Sequence, residues 1–305
     1  MSASVFSITA RDGTHLNVEG YSSAGDGPAA LILHGIASHT GWYRWLGEEM
    51  AANGVSAYLT DRRGAGISGG ARGHVRSWRT LVEDVALLAR EIVERHPDSA
   101  LHAIGVSLGG AISLAASILH PGVFKSHVLL SPGLVPGLRL GIRRRLRLAS
   151  QAFIRPMTLH DLPFSLADLS HRLDWQEEVG KDPLRTQQVS ARFAFEIFRM
   201  QKFVRANSRK LKVPILALLA GKDAIINNLA VVALLSRSSS PRVRIETFED
   251  TPHNLLVSLP RRAILERLVP WLRDGGILGE EGVTLITVPA FPPEAHDPQP
   301  TTTLT

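Results

Sequence analysis

The 305-residue chain contains no cysteine, which excludes disulfides, a thiolate nucleophile and cysteine-ligated metals while leaving the redox compartment open. It has only three tyrosines and 6% aromatic residues. Its formal charge of +6 and pI of about 10.0 come with no nucleic-acid recognition motif and no basic strand interleaved with aromatics, so the charge does not by itself point to nucleic acid. The first ten residues, Met1 to Ala10, have neither a basic n-region nor a long apolar core, the pattern expected of a cytoplasmic protein rather than a secreted one. No H-E-x-x-H or similar ligand spacing occurs, so neither a metal nor a cofactor is expected. The glycine-rich Arg63-Gly-Ala-Gly-Ile67 lacks the G-x-G-x-x-G register and the Walker lysine, and reads as a turn. One uncharged stretch, Ser99 to Leu119, is long enough to mimic a membrane helix, but Gly105, Ser107, Gly109 and Gly110 interrupt it.

What is present is an ordinary globular mixture, 44% apolar and 20% charged, sufficient for a sizeable core. The length suits one α/β domain with an insertion. Val5 to Ala10 and His15 to Tyr21 alternate apolar and polar residues around Arg11-Asp-Gly13, predicting a hairpin at a sheet edge. Ala29 to Leu33, Val55 to Thr60, Leu101 to Val106, Ser126 to Pro132, Val213 to Gly221 and Val243 to Phe248 read as buried strands. Helical spacing fills the gaps at Trp42 to Ala52, Thr80 to Arg95, the stretch from Ala111, Asn228 to Leu235 and Arg261 to Leu272. This alternation implies right-handed crossovers and a mainly parallel central sheet flanked by helices, with functional groups at the strands' C-terminal ends. It stops between 133 and 210, an Arg-rich segment without a clear strand, predicted to be a helical cap inserted after the sixth strand. The core is then 1–132 and 211–275. The Gly, Pro and Thr rich segment 276–305 is expected to be mostly disordered.

The chain is organised around Gly105-Val106-Ser107-Leu108-Gly109, which joins a buried strand to a helix. A turn this sharp crowds the positions two before and two after its apex, where the small glycines stand. Ser107 would be held at the tip, with the Leu108 N–H directed at a developing oxyanion. A serine nucleophile needs a base and a group to orient that base. Asp223 follows one predicted strand and His253 follows the next, giving the order Ser, Asp, His. Taken singly they read as a turn aspartate and a surface-loop histidine. Asp250 is the other candidate acid, but it precedes His253 in the same loop and would struggle to reach the ring's far nitrogen. A second oxyanion donor is expected from the loop after His34-Gly35, at the N–H of Ile36. His34 itself is expected to be a buried hydrogen-bonding residue.

With these motifs the chain resembles the α/β-hydrolase superfamily, in its bacterial monoacylglycerol lipase and lysophospholipase-like branch of serine aminopeptidase S33 type. The resemblance runs from about Val5 to Arg273. It includes His34-Gly-Ile-Ala-Ser-His-Thr-Gly-Trp-Tyr43, Asp61-Arg-Arg-Gly-Ala-Gly-Ile-Ser68, Ala71-Arg-Gly-His74, the Ser107 turn, Asp182-Pro-Leu184 and the Asp223 and His253 loops. It implies an α/β-hydrolase fold with Ser107 as nucleophile, Asp223 as acid, His253 as base, and Ile36 and Leu108 as oxyanion donors. Three positions depart from the family's common pattern: Val106 and Ala65 where histidine is frequent, and Thr251-Pro252 where a Gly-Ala pair is frequent.

The expected activity is therefore cleavage of a carboxylic ester, a monoacylglycerol or lysophospholipid, through an acyl-enzyme. A thioesterase or aminopeptidase would use the same triad, and a non-hydrolysing receptor could keep the fold. An aminopeptidase should offer cap carboxylates to a free amine, whereas this cap is rich in arginine. Within it, Leu138, Ile142, Leu146, Ala149 and Phe153 form an apolar helical stripe beside Arg139, Arg143 and Arg147. That stripe could pack on the core with a solvated basic face, or the basic face could dock on anionic membrane.

Overall fold

The computed structural model describes residues 3–137, 141–276 and 280–291. Leu138 and Arg139 of the cap stripe lie outside them. Among the described residues eleven strands form: β1 (Ser4–Thr9), β2 (His15–Tyr21), β3 (Ala29–Leu33), β4 (Ser56–Thr60), β5 (Leu101–Val106), β6 (His127–Leu130), β7 (Leu159–Asp161), β8 (Gln188–Ser190), β9 (Ile215–Ala220), β10 (Arg242–Phe248) and β11 (Gly282–Val288). The helices are α1 (Arg44–Ala52), α2 (Trp78–Arg95), α3 (Leu108–Leu119), α4 (Ile142–Ile154), α5 (Leu166–Leu169), α6 (Leu173–Gly180), α7 (Ala191–Ala206), α8 (Asn228–Leu235), α9 (Leu255–Ser258) and α10 (Arg261–Arg273).

Nine strands make one sheet in the order β1-β2-β4-β3-β5-β6-β9-β10-β11. The first hairpin is antiparallel, β2 meets β4 antiparallel, and every later pairing is parallel. The central strands are buried throughout and, His102 in β5 apart, apolar, because helices cover both faces and leave no solvated side. Two hydrophobic clusters lie on opposite sides of the sheet. One packs Leu31, Ala103 and Ala217 under α2 and α3, and the other packs Ile32, Ile104 and Leu218 under α1 and α10. Alternate residues of one strand thus fill opposite layers, as a period of two requires. The Ser99 to Leu119 stretch resolves into β5 and α3, and its apolarity is explained by burial. Among the described residues, no helix is long and apolar enough to cross a membrane.

Three features go beyond the sequence reading. Within the segment expected to be mostly disordered, Gly282–Val288 forms β11 and pairs in parallel with β10 along its full length. Its Val-Thr-Leu-Ile-Thr-Val run carries strand propensity that the surrounding Gly, Pro and Thr composition obscured. The rest of that tail, 277–279 and 292–305, lies outside the described residues. The cap is not purely helical, since β7 and β8 pair antiparallel over three residues each, too short to leave a periodic signal. Finally, the apolar stripe of α4 does not face the core. Ile142, Leu146 and Phe153 are 67%, 64% and 65% exposed, while Ala152 on the other side is buried. The helix period was legible, but nothing in its sequence indicated which face would meet α7.

The cap is fastened to the core chiefly through α7. Its N-cap Ser190 accepts the Phe193 N–H, and Met200, Val204 and Phe193 join the core cluster. Glu196, fully buried, accepts the Trp78 N–H at the start of α2 and pairs with Arg192 and Arg199.

Candidate active site

The parallel pairing of β5, β6, β9 and β10 brings their C-terminal ends to one edge of the sheet, where the three predicted residues converge. Ser107 sits between β5 and α3 with φ 50° and ψ −114°. This left-handed conformation costs a non-glycine residue about 1–3 kcal/mol and is retained only where the surroundings enforce it. They do so by close approach: a Cβ on Gly109 would lie 2.0 Å from the Leu33 carbonyl oxygen, and one on Gly105 would lie 2.5 Å from Gly110 Cα. Ser107 is half-buried rather than fully exposed.

His253 follows β10 and Asp223 follows β9. His253 Nε2 stands 3.0 Å from Ser107 Oγ, and its Nδ1 stands 2.7 Å from Asp223 Oδ2. The Asp223 side chain is fully buried and its other oxygen accepts the N–H groups of Ile225 and Ile226, both at 2.9 Å. That grip fixes the carboxylate's direction, so Asp223 accepts the Nδ1 proton and leaves Nε2 free to accept from Ser107. Asp250 does not enter this relay. It is exposed, has φ 57°, and pairs with Lys222 at 2.7 Å.

The Ile36 and Leu108 N–H groups have no acceptor among the described residues. Leu108 is the first residue of α3, so its amide belongs to a helix N-terminus. The loop bearing Ile36 packs on Ser107, with a Cβ position at Gly35 only 3.5 Å from Ser107 Cβ. His34 is buried and structural: its Nδ1 meets the Gly35 carbonyl at 2.7 Å and its Nε2 accepts the Arg62 N–H at 2.9 Å. Burial foremost, then the nearby Arg62 charge, holds its pKa well below the ordinary value and keeps it neutral.

Several neighbours had no signal in the sequence beyond the resemblance. Tyr43 OH and Ser38 Oγ lie 2.7 Å apart beside Gly35, and burial pushes the phenol up to about 12, so it stays protonated. Arg62 is buried with Nη2 donating to the Ile36 carbonyl at 3.0 Å. Its Nε and Nη1 have no partner among the described residues, its guanidinium lies 5.2 Å from the Phe193 ring centre, and burial lowers its pKa to about 10. Above Ser107 the cleft is lined by Ile36, Ala37, Trp42, Val106, Phe164 and Leu169, among other residues, and no carboxylate is among them. Its cavity volume is about 30 Å³, space for roughly one water.

A serine on a strained strand-to-helix turn, a histidine and buried aspartate at the ends of two parallel strands, and two amides beside the serine without an acceptor among the described residues define the class: a serine hydrolase of the α/β-hydrolase fold. The chain belongs to the family described as serine aminopeptidase, S33, whose model matches residues 28–259. It is 27% identical over 237 residues to phospholipase YtpA of Bacillus subtilis, covering 75% of this chain and 90% of that protein. It is 25% identical over 251 residues to the monoacylglycerol lipase of Mycolicibacterium smegmatis, covering 79% and 86%. The fold is shared with the solved monoacylglycerol lipase of Paleococcus ferrophilus, at TM-score 0.76 and 21% identity over 85% of this chain and 99% of that one.

Proposed function

We propose that this chain is a carboxylic ester hydrolase that cleaves monoacylglycerols or lysophospholipids through an acyl-enzyme. The observation that carries this is the relay from Asp223 through His253 to Ser107, at 2.7 and 3.0 Å, on the floor of an apolar cleft. Ser107 Oγ attacks the ester carbonyl as His253 Nε2 takes its proton. The Ile36 and Leu108 amides receive the tetrahedral oxyanion, each donor being worth about 3 kcal/mol. His253 then protonates the departing alcohol, and water cleaves the acyl-enzyme by the same steps in reverse. Similarity to proteins named phospholipase and monoacylglycerol lipase supports a lipid ester as substrate. The cleft favours an acyl chain over a peptide's free amine because no carboxylate lines it.

The exposed face of α4 supports a further step, docking of a cytoplasmic enzyme on anionic membrane. Ile142, Leu146 and Phe153 project from the cap beside exposed Arg143, Arg145 and Arg147. Apolar side chains that enter the headgroup region next to cations that meet anionic lipid are the two parts of interfacial binding. The hydrolase assignment is tested by treating the protein with a fluorophosphonate and by assaying p-nitrophenyl esters, monoacylglycerols and lysophospholipids. Covalent labelling at Ser107 with turnover of the lipid esters is expected. Absence of an adduct on Ser107 would point to a non-hydrolysing receptor instead.

A further inference from the structure

The Asp182-Pro183-Leu184 segment lies in the cap, outside the lining of the cleft, yet it reaches the loop that carries Ile36. Asp182 is 2% exposed. Its Oδ2 accepts hydrogen bonds from His39 Nε2 and Trp42 Nε1, both at 2.8 Å, and its Oδ1 accepts the Leu184 N–H at 2.8 Å. His39 Nδ1 accepts the Gly41 N–H at 3.1 Å, so Nε2 must carry the proton that Asp182 receives. Two residues beyond Leu184, the Thr186 N–H donates to the Ala37 carbonyl at 2.9 Å. Burial opposes a charged Asp182, but the bonds from His39 and Trp42, helped by Leu184, bring its pKa down to about 2 and keep it ionised.

The loop from Ile36 to Trp42 is thus held at Ile36 by Arg62, at Ala37 by Thr186, and at His39 and Trp42 by Asp182. All but the first of these ties come from the cap. A loop polypeptide holds a single amide in one direction only when its own carbonyls and side chains are held, and here the cap shares that holding with the core, where the Thr40 N–H donates to Asp61 at 2.8 Å and the Thr40 hydroxyl donates to Glu19 at 3.0 Å. We propose that Asp182 is a positioning residue for the oxyanion hole: by binding His39 and Trp42 it fixes the loop that aims the Ile36 N–H at the reacting carbonyl. Seating of the cap therefore sets transition-state stabilisation as well as access to the cleft. This rests on the assignment of Ser107 and Ile36 to ester hydrolysis. Asparagine cannot replace Asp182 fully, because one of its two polar atoms is an NH₂ that would face the donors now satisfied by a carboxylate oxygen.

The test uses the full chain with Asp182→Asn, Asp182→Ala and His39→Gln, a short p-nitrophenyl ester, and a trifluoromethyl ketone whose serine adduct mimics the tetrahedral oxyanion. Both Asp182 variants should lose roughly 10- to 100-fold in kcat, the scale of a donor displaced by about an ångström, with KM changed less than about threefold. The ketone should bind more weakly by the same factor. His39→Gln, whose amide can still donate to Asp182, should retain kcat within about fivefold. Unchanged kcat, a loss confined to KM, or unchanged ketone affinity would overturn the proposal. Should the Asp182 variants fail to fold, Trp42→Phe removes one donor from the same carboxylate, and parallel losses in kcat and ketone affinity support the proposal while no change in either overturns it. Activity surviving in Ser107→Ala would overturn the assignment of Ser107 as nucleophile and this proposal together, whereas an inactive Ser107→Ala beside a fully active Asp182→Asn overturns this proposal alone.

Discussion

Asp223 and Asp250 follow adjacent parallel strands, yet only Asp223 meets the histidine, its Oδ2 2.7 Å from His253 Nδ1 while Asp250 turns outward to Lys222. The difference lies in the backbone. Asp223 caps its own turn through the Ile225 and Ile226 amides, and Asp250 sits at a left-handed corner that throws its side chain into solvent.

Replacing Asp223 by Asn should therefore lower kcat on the order of 10⁴-fold, because the imidazole loses its tautomer and orientation together. Asp250→Asn should leave kcat within about twofold, since an exposed ion pair is worth less than about 1 kcal/mol. Steady-state assays on a soluble ester decide between them, and the reverse ranking would show the acid to be Asp250.

Ser107→Ala should abolish ester hydrolysis and fluorophosphonate labelling while moving Tm by less than about 2 °C, as the side chain is small, half-buried and, among the described residues, hydrogen-bonded only to His253. Activity within tenfold of the parent protein would remove Ser107 from the nucleophile's role.

Charge reversal on the cap, with Arg143 and Arg147 both changed to Glu, should slow hydrolysis of substrate in anionic vesicles by at least about tenfold and spare a short soluble ester, each nearby cation contributing about 1 kcal/mol. Raised salt should weaken the parent protein's vesicle binding in the same direction. Ile142→Ser with Leu146→Ser should reduce binding to neutral vesicles as well. Equal loss on both substrates, or none on either, would dismiss membrane docking.

Acid should destabilise the fold in two steps. His102 and His127 are both buried, and burial foremost, aided by Lys125 for the first and by His102 for the second, lowers their pKa to about 4 and about 3. The unfolded chain protonates these rings near the ordinary value of about 6.5, so it binds more protons than the native state below that pH. Stability is full above about 6.5 and falls toward pH 4, by several kcal/mol in total at 1.36 kcal/mol per unit. Asp182, held down to about 2, adds its loss only below about pH 4. Urea midpoints from pH 7.5 to 4.5 should drop steeply for the parent protein and less steeply for His127→Gln. A flat profile over that range would contradict neutral burial of the two histidines.

The sequence by itself determined the order of strands and helices, the elbow at Ser107 and the loops that carry Asp223 and His253. It could do so because these depend on local rules: period-two and helical apolar spacing, glycines flanking an apex, and functional residues at strand ends. β11 escaped because strand pairing is a long-range interaction, and its run of seven residues sits within turn-forming composition. The exposed face of α4 escaped for a related reason, since periodicity tells where an apolar stripe lies on a helix and not what will cover it. The ties that hold the Ile36 loop lay furthest from view. His39 and Asp182 are 143 residues apart, and Arg62 reaches Ile36 across 26. No spacing rule connects such pairs, because their hydrogen bonds exist only once the sheet has brought the strand ends together and the cap has folded over them.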